Sequence, residues 1–595
     1  MASGKSIDSD PFADPTSMQD ERATIVESTL SVGRNATLTL GTDAVIVLGT
    51  VSPLSLPCET DANLFSNADE GIHDTAARQF SCCGLIPERT TSTRSIPYFN
   101  ILWAELVKND LTVRYAQPTS KSPKAPLRVA YINYTLDDSS FSQDKATRWV
   151  KRLLDRAYGT AQRNKRIKLL INPFGGQGKA EKLYSKWTEP IFAAARCEVD
   201  VERTTYSGHA VEIAQNIDIN AFDVLVSASG DGLPHECFNG LARKPNAAEA
   251  LRKVAIAQLP CGSGNAMCWN LYGTGECSMA ALCIVKGVRS PMDLVSVTQG
   301  DKRTLSFLSQ SLGIVAESDL GTEHVRWMGG SRFVYGFLVR LLGKTVYPID
   351  IAVKTEIEDK MDIKRHYAHY RNKATTPNSI NLADLDGPLD ASTGLGLPPL
   401  EHGTINDPLP TDSGWSALTP YDNMGNFYCG NMNIMSADAP FFPASVPSDG
   451  LCDLITIDGD ISRLTSLSLL LAVEKGTFFD KDVVRIRKIK ALRVYPRYGR
   501  HGVAPPKQSH LGKLFDKLGL SGSGSTEKAV RGDGGFFSVD GEKLPFEPFQ
   551  LECHKGLGTV LSRHCGLYQA DGPAGWDSLS VSNDDNSQQE EGDSL

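Results

Sequence analysis

The chain has 595 residues, 41% hydrophobic and 22% charged, with a formal net charge of -9. That length can hold about three domains with sizeable cores, and the acidic balance speaks against nucleic acid as the main partner. Thirteen cysteines are an odd number, scattered without regular spacing and with Cys82-Cys83 the only adjacent pair, which implies neither a disulfide framework nor a zinc site and fits a reducing cytosol.

Residues 1–24 are rich in Ser, Asp and Pro and are expected to be disordered. They lack the basic start and apolar core of a secretory signal, and the sequence holds no uninterrupted run of 18 apolar residues, so a cytoplasmic protein with peripheral membrane contact is expected. Over residues 25–160, short runs such as Ala36–Leu40, Ile96–Ile101 and Val129–Ile132 predict a β-rich module. An amphipathic helix over Gln143–Tyr158, with Trp149 and Leu153 on one face, closes it. Strands followed by one closing helix resemble a pleckstrin-homology-like order.

Residues 161–290 alternate strand and helix, which predicts a parallel α/β lobe. Three apolar strands each run into a glycine-rich loop and then a helix. Ile167–Ile171 precedes Asn172-Pro173-Phe174-Gly175-Gly176-Gln177-Gly178-Lys179; Phe222–Val226 precedes Ser229-Gly230-Asp231-Gly232-Leu233-Pro234-His235-Glu236; and Val254–Ala257 precedes Gly262-Ser263-Gly264-Asn265-Ala266. Glycines let backbone amides approach a polyanion, and three such strand ends could converge on one. The first loop is neither a Walker loop, having Pro173 and Ala180 at its key positions, nor a dinucleotide fingerprint, having Glu181. Asp231 lies between two glycines at a strand's carboxyl end, placed either to act as a general base or to cap the helix after it.

Residues 291–570 turn to strand after strand, including Asp293–Val297, Pro348–Val353 and Leu454–Ile457, and predict a β-sandwich lobe interrupted by a helix over Arg332–Leu342. Inserts at 375–417 and 501–534 are rich in Gly, Pro and Ser, and 571–595 is an acidic tail. The fold class expected is therefore α/β plus β: a two-lobed core behind a β-rich N-terminal module.

The order of the three glycine loops resembles the catalytic domain shared by diacylglycerol, ceramide and sphingosine kinases. Glu317-Ser318-Asp319-Leu320, Arg326, Arg332, Leu471–Gly476 and Val539-Asp540-Gly541-Glu542 are similar to the sphingosine kinase branch, and the extended N-terminus to fungal long-chain-base kinases. The resemblance implies ATP-dependent phosphorylation of the primary hydroxyl of a sphingoid base. It makes Asp231 the base, with Ser229, Gly230, Gly232 and Asp319 beside the lipid headgroup. Asn172, Pro173, Phe174, Gly262, Ser263 and Gly264 would cradle the ATP phosphates; Thr204, Thr205, Tyr206, Ser207 and Gly208 would meet the adenine side; Glu236, Arg326, Arg332, Asp540, Gly541 and Glu542 would complete the nucleotide site. Asp319 would take the ammonium that a sphingoid base has and diacylglycerol lacks, or else cap the next helix.

Transfer from ATP implies Mg²⁺, held mainly by ATP and water with Asp231, Asp540 or Glu542 nearby. Asp540-Gly541 also suits a plain hairpin turn, and Lys179 is either a phosphate cation or a solvated helix start. Phe333, Phe337, Leu338 and Leu341 fall at helical spacing, as a core stripe or part of a tail-lining wall. Cys82 and Cys83, beside small and apolar residues, are candidate S-acylation sites or reduced structural thiols. Pro234, Gly208, Gly321 and Thr322 depart from the animal pattern. A ceramide or diacylglycerol kinase, or a catalytically silent lipid-binding module, are the competing functions.

Overall fold

The computed structural model describes residues 28–33, 36–50, 91–137, 139–313, 316, 346–375, 396–410, 414–437, 439–497, 537–563, 566–568 and 576. They fall into two compact units, residues 1–116 with 130–159, and residues 117–129 with 160–595.

In the first unit, β1 (Thr29–Gly33), β2 (Ala36–Leu40), β3 (Ala44–Thr50) and β4 (Thr91–Pro97) form an antiparallel sheet in chain order, and β5 (Ile101–Val107), β6 (Asp110–Pro118) and β7 (Leu127–Thr135) a second. The alternation of Ala36–Leu40 puts Leu38 and Leu40 inside. The run Ile96–Ile101 is not one strand. Pro97 ends β4, and Tyr98–Asn100 make a single 3₁₀ turn before β5, because proline fixes φ and offers no ladder donor. The closing helix runs Ser140–Tyr158, its first turn capped by the Ser139 hydroxyl, which accepts from the Ser142 amide. Ala146, Trp149 and Leu153 are its buried stripe.

The second unit opens with parallel strands β8 (Arg166–Ile171), β9 (Glu198–Arg203), β10 (Val224–Ser229) and β11 (Ala255–Pro260). Every residue of β10 and β11 is buried, as a parallel strand covered on both faces requires. Next come β12 (Val288–Gln299), β13 (Lys302–Ser306), β14 (Ser309–Gly313), β15 (Ile349–Ile357), β16 (Thr419–Tyr421), β17 (Met424–Gly430), β18 (Cys452–Asp458), β19 (Arg485–Pro496), β20 (Phe537–Val539), β21 (Glu542–Leu544) and β22 (Phe549–Ser562). Hydrogen bonds join all of these to the parallel strands along the path β21-β20-β14-β17-β18-β19-β22-β11-β10-β8-β9, with β12, β13, β15 and β16 attached beside it. The 14-residue β22 is the joint: it runs parallel to β11 at Val560 and antiparallel to β12 and β19.

The register of the parallel set positions the site. Ile171 stands opposite Ala228 and Arg203, and Ser229 opposite Pro260. The strands therefore end level, and the four loops that follow them leave from one edge of the sheet, where open α/β sheets place their ligands.

Candidate active site

Two of these loops touch through bare backbone. A methyl group added to Gly262 would lie 2.5 Å from the Gly230 nitrogen and 2.9 Å from the Gly264 carbonyl, and closer still to the Gly230 Cα. Glycine at 230 and 262 is thus a condition of close approach rather than of turn geometry. The same approach brings Gly264 against the Asp231 carboxylate: a methyl there would sit 3.2 Å from Oδ2.

Asp231 occupies the N-cap position of the helix Gly232–Ala242, yet its side chain makes no cap hydrogen bond to that helix. The carboxylate turns to another one. Oδ2 accepts from the Ala266 amide at 2.9 Å, and Oδ1 from the Met267 amide at 3.1 Å and Gln258 Nε2 at 3.2 Å. Ala266–Tyr272 is the helix that follows the third glycine loop. Capping of the Gly232–Ala242 helix is therefore corrected: Asp231 itself has helical backbone, φ -68° and ψ -13°, rather than the extended conformation from which an N-cap side chain reaches its own helix. Burial pushes the Asp231 carboxyl pKa up; the two amides and Gln258 pull it down, the negative Asp540 nearby adds to the rise, and it stays above the ordinary range.

Gln258 carries this arrangement. Fully buried within β11, it also accepts from the Cys268 amide through Oε1 at 3.1 Å. Asn265 braces the loop between them, accepting from the Gly262 amide and donating to the Gly262 carbonyl, both at 3.0 Å. Neither side chain was anticipated as part of the site. The available signal was a polar residue inside the otherwise apolar buried strand that leads into a glycine loop.

On the first loop, Asn172 Oδ1 accepts from the Phe174 amide at 3.0 Å, which tightens the turn, and Phe174 is left 80% exposed. The fourth loop starts at buried Thr204, whose amide donates to the Ile171 carbonyl. Thr205, Tyr206 and Ser207 are exposed beyond it, with Tyr206 stacked on His209 at 4.7 Å. Gly208 takes φ 90°, a left-handed conformation that favours glycine, and so begins the helix His209–Asn216. Glu236 fixes this corner: its two oxygens accept from the amides of Gly208 and Ala210, each at 3.1 Å. A carboxylate on a helix N-terminus is well placed electrostatically, and the contact ties the second loop's helix to the fourth loop.

Asp540 and Gly541, at φ 53° and 86°, are the turn of the β20–β21 hairpin, so the Asp-Gly hairpin expectation holds. The Asp540 carboxylate is nevertheless fully used. Oδ1 accepts from Ser306 Oγ and the amides of Leu308 and Ser309; Oδ2 accepts from the Phe307 amide and meets His235 Nδ1 at 2.8 Å. Burial lowers the His235 pKa, but the Asp540 hydrogen bond and charge, helped by Glu542 and Glu236, outweigh it and leave a net rise. Glu542 is exposed, and its Oε1 lies 3.5 Å from where a methyl on Gly232 would be. Asn239 adds a second stitch, accepting from the Leu305 amide and donating to its carbonyl, both at 2.9 Å.

The structure thus brings together Ser229, Gly230, Asp231, Gly232, Gly262 and Gly264, with Glu542 at the rim. Asp319, Arg326, Arg332, Phe333, Phe337, Leu338 and Leu341 lie outside the described residues, as do Cys82 and Cys83. Among the described residues, no group of three or more His, Cys, Asp or Glu side chains could hold a metal ion.

Residues 166–297 match the diacylglycerol kinase catalytic domain, and residues 28–159 match a domain of unknown function. Sphingoid long chain base kinase 4 of Schizosaccharomyces pombe is 30% identical over 478 residues, which cover 80% of this chain and 90% of that protein. The chain belongs to the sphingoid long-chain-base kinase family. Sphingoid long chain base kinase 5 of Saccharomyces cerevisiae is 33% identical over 502 residues, 76% of this kinase and 67% of the yeast protein. Human sphingosine kinase 2 is 26% identical over 67% of this chain and 71% of its own. Among solved structures, a diacylglycerol kinase from Bacillus anthracis aligns with a TM-score of 0.41 at 15% identity, over 67% of this chain and 97% of that one.

Proposed function

We propose that this kinase transfers the γ-phosphoryl group of ATP to the primary hydroxyl of a sphingoid long-chain base, giving the 1-phosphate. The observation that carries it is the convergence on Asp231 of two glycine loops in backbone contact. Phosphoryl transfer is mostly positioning and charge stabilisation, with one proton to remove from the attacking alcohol. Asp231 Oδ2 has one protein donor and Oδ1 two; Oδ2 is the oxygen with room for that proton. The raised pKa makes the carboxylate a stronger base than an exposed aspartate.

In the same proposal, Asn172, Pro173, Phe174 and Gly262–Gly264 cradle the phosphates, and Thr204–Gly208, held by Glu236, meet the adenine. Asp540 supports the nucleotide side as backbone, since its carboxylate is spent on the protein. Arg326 and Arg332 pair with phosphate oxygens, Asp319 with the substrate ammonium. Mg²⁺ would arrive with ATP, neutralising phosphate charge, and Glu542 is the described carboxylate at the rim able to take it. The first unit's strands and closing helix support a pleckstrin-homology-like targeting module. Peripheral attachment through acyl chains on Cys82 and Cys83 belongs to the same proposal, and replacing both by Ser is expected to move the kinase out of the membrane fraction.

The deciding assay offers labelled ATP with sphingosine, phytosphingosine, ceramide and diacylglycerol in parallel. Phosphorylation of the sphingoid bases is expected. Preference for ceramide or diacylglycerol would overturn the substrate assignment, and no transfer to any of them would leave a binding module. Asp319→Asn is expected to weaken use of sphingosine by about 1.5–3 kcal/mol, the value of a charge-assisted hydrogen bond, with ATP binding retained.

A further inference from the structure

The helix Ala266–Tyr272 supplies two of the three donors on Asp231, the amides of Ala266 and Met267, and its Cys268 amide holds the third donor, Gln258. Asp231 is therefore placed by wherever this helix lies. Seven residues make about two turns, too few for a helix to persist alone, so contacts with the rest of the protein must fix its position.

Asn270, in its second turn, makes such a contact. Asparagine is a poor helix former, and a buried amide is costly unless it is bonded. Asn270 is fully buried and bonded at both ends of its amide. Oδ1 accepts from the Ile434 amide at 3.0 Å, while Nδ2 donates to the Ile434 carbonyl at 2.6 Å and to the Ala266 carbonyl at 2.8 Å. Ala266 is the residue whose amide donates to Asp231 Oδ2 at 2.9 Å. Hydrogen bonds no longer than 3.0 Å thus lead from Ile434 through Asn270 and Ala266 to the carboxylate.

The far end of this path is itself anchored. Ile434 belongs to the segment after β17, where Asn431 donates to the Asp293 carbonyl of β12 at 2.6 Å and Asn433 to the Pro443 carbonyl at 3.3 Å. The antiparallel part of the sheet therefore holds the helix that orients Asp231.

We propose that Asn270 is a positioning residue for phosphoryl transfer: it ties the helix Ala266–Tyr272 to Ile434 and so keeps Asp231 Oδ2 aimed at the substrate hydroxyl. The proposal rests on the reading of Asp231 as the base. A residue that only satisfied the buried Ile434 backbone would act on stability alone, whereas a positioning residue acts on rate and only while Asp231 is present.

The test is a cycle on the full chain: wild type, Asn270→Ser, Asp231→Asn and the double variant, with rates taken per ATP-binding site at saturating ATP and sphingosine. Serine can still donate to the carbonyl four residues back but is too short to hold Ile434, so it releases the anchor. Asn270→Ser is expected to lower kcat about tenfold or more, with KM for ATP and for sphingosine each within about threefold of wild type. In the Asp231→Asn background the same change is expected to cost less than about twofold, because a residue that acts through Asp231 then has nothing to act on. An equal loss in both backgrounds would make Asn270 a structural stitch and overturn the proposal, as would unchanged kcat in folded Asn270→Ser protein. If the melting temperature shows that variant unfolded, the isosteric Asn270→Asp, which keeps the acceptor for the Ile434 amide and gives up the Nδ2 donor, takes its place, and the same outcomes decide. Near wild-type turnover in Asp231→Asn alone would overturn the base reading and this proposal with it. A slowed Asp231→Asn protein with additive losses would remove only the role of Asn270.

Discussion

Gly262→Ala puts the smallest possible side chain where two glycine loops meet. The added methyl would stand 2.5 Å from the Gly230 nitrogen and 2.9 Å from the Gly264 carbonyl, whereas ordinary contact begins near 3.4 Å. Both partners are backbone, so no rotamer change relieves the clash. The loops must part by most of an ångström, carrying Asp231 on one side and the amides proposed for the phosphates on the other. A misplacement of about 1 Å costs on the order of 10²-fold in rate when geometry is what the enzyme supplies. Steady-state transfer to sphingosine, with ATP affinity and the melting temperature measured alongside, checks this. The expected result is a kcat lower by about 10² with a folded protein. Near wild-type turnover in a folded Gly262→Ala protein would show that the contact between the loops has no part in catalysis.

Asp231→Asn is expected to cut transfer by about 10² to 10⁴ while ATP still binds; turnover close to wild type in single-turnover assays removes Asp231 as base. Glu236→Gln leaves one carbonyl oxygen for the two amides of Gly208 and Ala210. Loss of one charge-assisted bond, about 1.5–3 kcal/mol, should raise KM for ATP about tenfold or more with a smaller change in kcat, and an unaltered KM would refute the clamp. His235 has a raised pKa in the fold, so its contribution to stability is complete below about pH 6.5 and is lost as pH rises through the raised value. Melting temperatures of wild type and His235→Gln should therefore converge toward alkaline pH, and a constant difference across that window would count against the His235–Asp540 ion pair.

The parallel lobe was legible because three of its strands contain continuous apolar runs. Ile167–Ile171, Phe222–Val226 and Val254–Ala257 fall within three residues of the observed bounds of β8, β10 and β11. Polar segments hid more. The helix Lys360–Thr375 was not anticipated, since charge surrounds its short buried stripe of Ile363, Tyr367 and Ala368. Lys488 and Asp453 are fully buried inside β-strands, and Lys488 Nζ reaches Asp449 and Asp453 at 3.2 Å each. Nothing in the local pattern distinguishes such a paired lysine from a solvated one, because its partners lie dozens of residues away.

The same distinction runs through the active site. Each glycine loop is a local signal, fixed by a strand, a turn and a helix within about fifteen residues. The contacts that make the loops work together are not local: Gln258 to Asp231 spans 27 residues, Glu236 to Gly208 spans 28, and His235 to Asp540 spans 305. The base role proposed for Asp231 is compatible with capping a helix other than the one it precedes. Capping the helix Ala266–Tyr272 orients the group and leaves Oδ2 with a single protein donor, while burial keeps its proton affinity high. A general base that must lie still between two substrates gains its orientation from the very bonds that a structural aspartate would make. The environment of the remaining lone pair, beside the bare Gly264, separates the two roles.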